Sequence, residues 1–250
     1  MGLLKMETEK LPSSVEVSVV LPAYNEATTL ENAVAKVARA LSELTRSSEI
    51  IIAEDGSTDG TDKIAASLAE RFPYVKHLHR EKRLGRGNAL KNAFKQSSGE
   101  VLVYMDLDLA TDLKHLKPLV KAVAVEGYDF ATGSRMLPES DVERGFTRNL
   151  ASKTYNFMVR TLLGSKVRDH QCGFKAFRRE PLMRLLDEVE AGHWFWDTEI
   201  IVRAHSKGYR IKEIPVSWRS GRETKVRLLK DSSSMFRQAL RLWWRLKRQQ

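Results

Sequence analysis

An α/β fold built on a doubly wound, mostly parallel sheet is predicted by two observations. Strand-like apolar runs alternate five times with helical runs, and acidic or glycine-rich turns follow the strands. The 250 residues, 42% of them hydrophobic, suffice for one well-packed domain of this class or for two small ones.

The first strand reads as Val15-Glu-Val-Ser-Val-Val-Leu21, after a short polar arm over residues 1–14. The turn Pro22-Ala23-Tyr24-Asn25-Glu26 follows, and the apolar spacing from Leu30 through Val34 and Val37 to Leu41 is helical. A second strand, Ile50-Ile-Ile-Ala-Glu54, runs into Asp55-Gly-Ser57-Thr-Asp59-Gly-Thr61-Asp62. That segment begins like a calcium loop, but Ala66 stands where the bidentate Glu of such a loop is required, so calcium is excluded. Asp59 or Thr61 instead caps the helix that starts near Asp62.

A third unit runs from Tyr74-Val-Lys-His-Leu-His79 into Arg83-Leu-Gly85-Arg86-Gly87-Asn88. Glycines just before a helix let backbone N–H groups approach a phosphate, with Arg86 adding charge; the same Gly-x-Gly is equally a plain turn. His77 and His79 alternate on this strand and read as structural or solvated. The fourth strand, Val101-Leu-Val-Tyr-Met105, ends in Asp106 and Asp108. Alternate residues of an extended segment point the same way, so both carboxylates can face one Mg²⁺ or Mn²⁺ ion. The competing reading is a helix cap, a role that Asp112 fills ahead of Leu113-Lys-His-Leu. A helix from Leu113 to Val125 then leads to the fifth strand, Tyr128 to Thr132, and to Gly133-Ser134-Arg135.

The formal charge of +10 is uneven. From Arg203 onward there are 14 Lys and Arg against Glu213, Glu223 and Asp231, whereas the first 202 residues sum to about −1. Such asymmetry implies an anionic partner, either nucleic acid or a membrane surface. On a helical wheel, residues 234–248 gather Met235, Phe236, Ala239, Leu240, Leu242, Trp243, Trp244 and Leu246 opposite Arg237, Arg241, Arg245 and Arg248. This describes an interfacial membrane helix, or an amphipathic helix docked on the domain or on a second subunit. No run approaches the roughly 20 apolar residues of a membrane span, and residues 1–10 lack a secretory core. The chain is therefore expected in the cytoplasm, peripheral to the cytoplasmic face of a membrane. Cys172 is the only cysteine, which excludes a disulfide framework and reads as a small buried apolar residue.

Four segments resemble family 2 glycosyltransferases: Val-Leu-Pro-Ala-Tyr-Asn-Glu26, Asp55-Gly-Ser-Thr-Asp59, Asp106-Leu-Asp108 and Gly133-Ser-Arg135. The resemblance implies a single-domain A-type glycosyltransferase fold and transfer of sugar from a nucleotide diphosphate. Arg148-Asn-Leu-Ala-Ser152, Asp169-His-Gln171-Cys-Gly173-Phe-Lys175 and Trp194-Phe-Trp-Asp197-Thr-Glu199 resemble the dolichyl-phosphate hexose synthases, archaeal-type members included. That likeness covers about residues 15–240. Where mannose synthases commonly continue Leu-Gln-His, this chain has Leu109-Ala110-Thr111, and Ala110 offers no side-chain ligand. The departure leans toward glucose synthases and leaves the donor open between UDP-glucose and GDP-mannose.

The resemblance divides the chain into an arm (1–14), a catalytic domain (15–230, with a nucleotide-sugar half to 135 and an acceptor half beyond) and a basic amphipathic tail helix (231–250). It places Pro22, Ala23, Tyr24, Asn25, Glu26, Asp55, Gly85, Arg86 and Asp106 with the nucleotide sugar, and Mg²⁺ or Mn²⁺ on Asp106 and Asp108. Arg135, Arg148 and Ser152 match residues that hold the phosphate of a dolichyl or polyprenyl acceptor; Arg suits this because its planar fork grips two phosphate oxygens. Asp106, Asp108, Arg135 and Asp197 make up the expected catalytic set, supported by Asp169, Gln171 and Lys225. Asp169 and Asp197 each orient an arginine or the sugar hydroxyls, or act as a base toward a hydroxyl acceptor. Lys225 lies in a basic, Gly-containing segment that is either a lid over phosphates or an ordinary loop. Trp194, Phe195 and Trp196 either floor a sugar site or fill the core. Inversion at the anomeric carbon, giving a β-linked product, is also implied. A sugar-hydroxyl acceptor is the alternative. A non-enzymatic nucleic-acid binder leaves the strand-end aspartates unexplained, so nucleic acid is not an expected partner.

Overall fold

The computed structural model describes residues 16–219 and 228–248, without the side chains of 228–233. The expected arm, Lys225 and the segment around it lie outside the described residues.

Seven strands form one sheet: β1 (Glu16–Ala23), β2 (Ser47–Glu54), β3 (Val75–Leu78), β4 (Val101–Met105), β5 (Phe130–Ser134), β7 (Phe174–Arg178) and β8 (Ile211–Pro215). Their spatial order is β3-β2-β1-β4-β7-β5-β8, and β6 (Asp141–Glu143) pairs with β9 (Ser217–Arg219) in a separate ribbon. Strands β1 to β4 run parallel, as strand–helix alternation requires. The fifth strand does not follow the fourth: β7 lies between them, antiparallel to both. The alternation stops predicting neighbours here because β7 carries a lysine mid-strand and so does not read as a central strand. Lys175 is tolerated there because its ammonium donates to the carbonyls of His170 and Cys172 and to Asp197 Oδ1.

Alternation along each strand divides the core in two. Val17, Val19, Val101 and Val103 face α1 (Leu30–Leu44), α2 (Thr61–Arg71) and α4 (Leu116–Ala124). Val20, Leu102 and Tyr104 face α3 (Arg86–Gln96), α6 (Arg179–Leu186) and α7 (Trp196–Ser206). In α1, Leu30, Ala33, Val34, Val37, Leu41 and Leu44 supply a buried stripe at helical spacing. On the other face, Phe94, Tyr104, Phe130, Phe177 and Trp196 meet ring to ring at 5.4–6.4 Å. Such pairs contribute roughly 0.5–1.5 kcal/mol each beyond burial.

Helix α5 (Phe146–Leu163) and α8 (Leu228–Arg248) close this second side. The tail helix docks on the domain, one of the two readings of its wheel. Ala239 and Leu242 are buried in the core, with Met235 and Leu246 packed beside them, while Phe236, Leu240 and Trp244 stay exposed. Among the described residues, no helix is long and apolar enough to cross a membrane.

Candidate active site

The carboxyl ends of β1, β2 and β4 and the amino end of antiparallel β7 converge on a cleft of about 450 Å³. Open α/β sheets bind ligands at such an edge. Pro22, Ala23, Tyr24, Asn25, Glu26, Asp55, Arg86, Asp106, Asp108, Arg135, Arg148, Ser152 and Gln171 all line it. Gly85, Asp169 and Asp197 do not: they stand behind the lining and hold it.

The turn after β1 is clipped to the loop after β2. Asn25, at φ 53°, donates its N–H to Ser57 Oγ, and its Oδ1 accepts from the N–H of Thr58. Glu26 N–H donates to Thr61 Oγ1, and Ala27 N–H donates to Asp59 Oδ2. Asp59 Oδ1 accepts from the Thr61 N–H, but the N-cap position of α2 is taken by Gly60 at φ 93°, so neither Asp59 nor Thr61 occupies the cap that the sequence suggested. Asp55 is buried and accepts from the N–H groups of Leu84 and Gly85 at 2.7 and 2.8 Å. It thereby fixes the start of α3, where Gly85 adopts φ 96° and any Cβ would strike His193 and the Gly192 carbonyl.

The side chain of Arg86 departs from the sequence reading. Instead of pointing free into a phosphate site, its guanidinium donates to Asp197 Oδ2 at 2.7 Å and to Asp106 Oδ1 at 2.5 Å. Asp197, buried, also accepts from Lys175 at 3.0 Å. Burial pushes the Asp197 carboxyl up to about 6, against the pull of Arg86. Asp197 thus bridges two cations beneath the cleft and does not itself line it.

The segment after β4 also corrects an expectation. Residues 106–109 are a turn, not extended strand: Leu109 N–H donates to the Asp106 carbonyl, and Leu109 sits at φ 50°. Asp108 Oδ1 accepts from the Ala110 N–H, an Asx-type closure that competes with strand geometry. The two carboxylates still open on the same cleft. Burial, and then the charges of Asp106 and Glu26, raise the pKa of Asp108.

At the other end, Arg135 lays its fork on Asp169, Nε to Oδ2 at 2.7 Å and a terminal nitrogen to Oδ1 at 2.9 Å. Burial alone would raise Asp169, but the Arg135 charge and hydrogen bonds outweigh it and hold the carboxyl well below the usual range. Gln171 donates to Thr198 Oγ1 at 2.7 Å. Arg148 and Ser152 sit one turn apart on α5, both half-buried.

Several lining residues escaped the sequence. Arg144 lies 4.9 Å from the Trp218 ring, and Arg135 is 5.8 Å from it. Arg144 Nε is buried without a hydrogen-bond partner among the described residues, and burial, then the Arg135 charge, brings its pKa down to about 10. Arg83 covers the Tyr24 ring at 3.7 Å. No local pattern marks these residues; only the β6–β9 ribbon and the 80–85 loop bring them in. Of the three aromatics, Trp194 lines the cleft, whereas Phe195 and Trp196 are core. Cys172 is buried, and burial pushes its thiol up to about 11.

A family model, "Glycosyl transferase family 2", matches residues 18–186, most of this frame. The chain belongs to glycosyl transferase family 2. Its relatives include glycosyltransferase AglD of Haloferax volcanii, 49% identical over 96% of this chain; the chain spans only 39% of that protein's length. A dolichyl-phosphate beta-glucosyltransferase of Dictyostelium discoideum is 30% identical over 96% of this chain and 80% of its own. A polyprenol monophosphomannose synthase of Mycolicibacterium smegmatis is 33% identical over 89% of this chain and 83% of its own. Among solved structures, glucosyl-3-phosphoglycerate synthase from Mycobacterium tuberculosis superposes with a TM-score of 0.70 at 22% identity, over 93% of this chain and 78% of that one. It was crystallised with Mn²⁺, UDP and phosphoglyceric acid, and its likeness shows the A-type glycosyltransferase fold.

For this family 2 chain, the fit of a divalent cation can be tested on its own residues. Asp106, Asp108 and Glu26 are hard oxygen donors at one end of the cleft, and their like charges already raise Asp108. That donor set fits Mg²⁺ or Mn²⁺.

Proposed function

We propose that the chain transfers a hexose from a nucleotide-diphospho-sugar to a polyprenyl phosphate of the dolichyl type. The observation that carries this reading is the polarity of the cleft: carboxylates at the β4 end, and Arg135, Arg144 and Arg148 at the α5 end. A sugar donor bearing diphosphate needs a cation at the first end, and an anionic acceptor needs arginines at the second.

The turn 22–26 and the loop after β2 receive the nucleotide, with Asp55 fixing the 84–85 backbone beside it. When bound on Asp106 and Asp108, Mg²⁺ or Mn²⁺ supplies the positive charge that stabilises the leaving diphosphate. Arg86, held by Asp197, sets the direction of the Asp106 carboxylate. Arg148, Arg144 and Ser152 hold the acceptor phosphate, and Arg135 is aimed by Asp169. A phosphate monoester, with its second pKa near about 6, is largely ionised at neutral pH and attacks the anomeric carbon without a base. Direct displacement from an α-linked donor gives a β-linked product.

A hydroxyl acceptor would require a base, and Asp169 and Asp197 are both buried and tied to cations. The names of the Dictyostelium and Mycolicibacterium relatives agree with a polyprenyl phosphate acceptor. Attachment to lipid has its own support. Phe146, Leu150 and Phe157 form an exposed stripe on α5, the helix that carries Arg148 and Ser152, and α8 beside it exposes Phe236, Leu240 and Trp244. Two outward apolar stripes edged by arginines suit peripheral attachment to an anionic membrane surface, at its cytoplasmic face.

The test is transfer of label from UDP-glucose and from GDP-mannose, run separately, into the organic phase with dolichyl phosphate, with and without EDTA. Label entering lipid from one donor and stopped by EDTA supports the proposal and names the sugar. Donor hydrolysis without lipid label from either donor refutes it in favour of a hydroxyl acceptor.

A further inference from the structure

Away from the cleft arginines, Glu54, His77 and His79 share one face at the carboxyl end of the β2–β3 pair. Ile52 stands opposite His77 in register, so two residues on, Glu54 and His79 occupy that same face. One donor atom from each lies within 4.8 Å of the other two. The rings of His77 and His79 are 5.9 Å apart.

An ordinary ion pair accounts for only part of this. Glu54 Oε2 meets His79 Nδ1 at 2.5 Å, yet His77 Nε2 is buried with no hydrogen-bond partner among the described residues. A buried polar atom left so is destabilising, and a ligand on that nitrogen would satisfy it. The Glu54 side chain is 0% exposed and that of His79 is 47% exposed, so the cluster is anchored on one side and open to solvent on the other. Two imidazoles and a carboxylate with an open side form the three-ligand set of a zinc site that keeps a fourth position for water. Imidazole also selects Zn²⁺, Co²⁺ or Ni²⁺ over the Mg²⁺ and Mn²⁺ that carboxylates favour.

We propose that Glu54, His77 and His79 form a binding site for a transition-metal ion of the zinc type, separate from the carboxylates of Asp106 and Asp108. The site bears on the nucleotide loop. Glu54 Oε1 accepts from the Ser57 N–H at 2.5 Å, and Ser57 Oγ accepts from the Asn25 N–H at 3.0 Å. An ion that fixes Glu54 therefore fixes the loop that joins Asp55 to the 22–26 turn.

The experiment uses the tag-free full chain bearing Asp108→Asn, which removes one cleft carboxylate from the competition, stripped with chelator and desalted. Zn²⁺ is titrated against a chromophoric chelator, and Co²⁺ is followed by its visible d–d bands. One Zn²⁺ per chain is expected, with affinity reduced at least about tenfold by His79→Gln, whose exposed ring leaves folding intact, and likewise by His77→Gln. Failure of the Asp108→Asn chain to retain Zn²⁺, or equal retention by the His79→Gln chain with unchanged circular dichroism, overturns the assignment. Neither outcome depends on sugar transfer.

Discussion

The carboxylate of Asp106 lies against Gly173, so closely that a Cβ at position 173 would meet Asp106 Oδ2 at 1.8 Å. The Asp106 N–H donates to the Gly173 carbonyl at 2.9 Å, so the backbone cannot retreat without breaking the β4–β7 junction. Gly173→Ala is therefore expected to turn the carboxylate away while leaving the fold in place. Displacement of about 1 Å at a reacting centre costs about 100-fold in rate. Label transfer falling by that order, with unaltered circular dichroism, checks it.

Asp108→Asn removes one of the two charges assigned to the metal. Loss of a comparable electrostatic contact costs about 100- to 1,000-fold in turnover. Isothermal titration should show weaker Mn²⁺ binding in the presence of nucleotide, and full transfer activity in this variant would contradict the metal assignment.

Arg144 Nε is buried with no hydrogen-bond partner among the described residues, and burial, then the Arg135 charge, brings its pKa down to about 10. Arg144→Gln should raise the KM for polyprenyl phosphate by about tenfold or more, the worth of a charge-assisted hydrogen bond. The KM for the nucleotide sugar should stay within twofold or so, and an equal rise in both would place Arg144 elsewhere in the mechanism.

Acid sensitivity follows from His170, which is fully buried and bonded to Asn156 Oδ1 at 2.8 Å and Ser165 Oγ at 2.9 Å. Burial lowers its pKa from 6.5 to about 3. The unfolded chain therefore binds a proton in that interval that the folded chain refuses, so stability falls as pH drops below about 6.5. One group contributes a slope of up to about 1.4 kcal/mol per pH unit. Above pH 5, the slope from urea unfolding should flatten in His170→Gln.

The outward stripe of α8 can be tested without deleting the helix, because Ala239 and Leu242 belong to the core. Replacing Phe236, Leu240 and Trp244 together by Ser should reduce flotation with anionic liposomes and leave thermal unfolding nearly unchanged. Unchanged flotation would assign lipid contact to the α5 stripe alone.

The sequence conveyed the β1–β4 half well, because parallel strands there alternate strictly with helices and each motif sits at a strand end. Asp55, Asp106 and Asp108 lie on the cleft because they follow such strand ends. The β7 insertion was not legible: its central lysine is stabilised by the carbonyls of His170 and Cys172, presented by the irregular segment just before the strand, and by Asp197, which is remote in sequence. The same holds for Arg144 and Trp218, whose meeting depends on a three-residue ribbon. Extended spacing also misdescribed Asp106 and Asp108, since a local Asx-type bond to Ala110 bends the chain as soon as the sheet ends.

The position of β7 has a consequence for inheritance. A strand from the later half of the chain separates two strands of the earlier half and supplies Gly173 to the floor beneath Asp106. A crossover near residue 135 that joined two divergent parents would have to match packing along both edges of that strand at once. Donor and acceptor preferences in this lineage are therefore expected to change by drift within lining loops, and rarely by shuffling of halves.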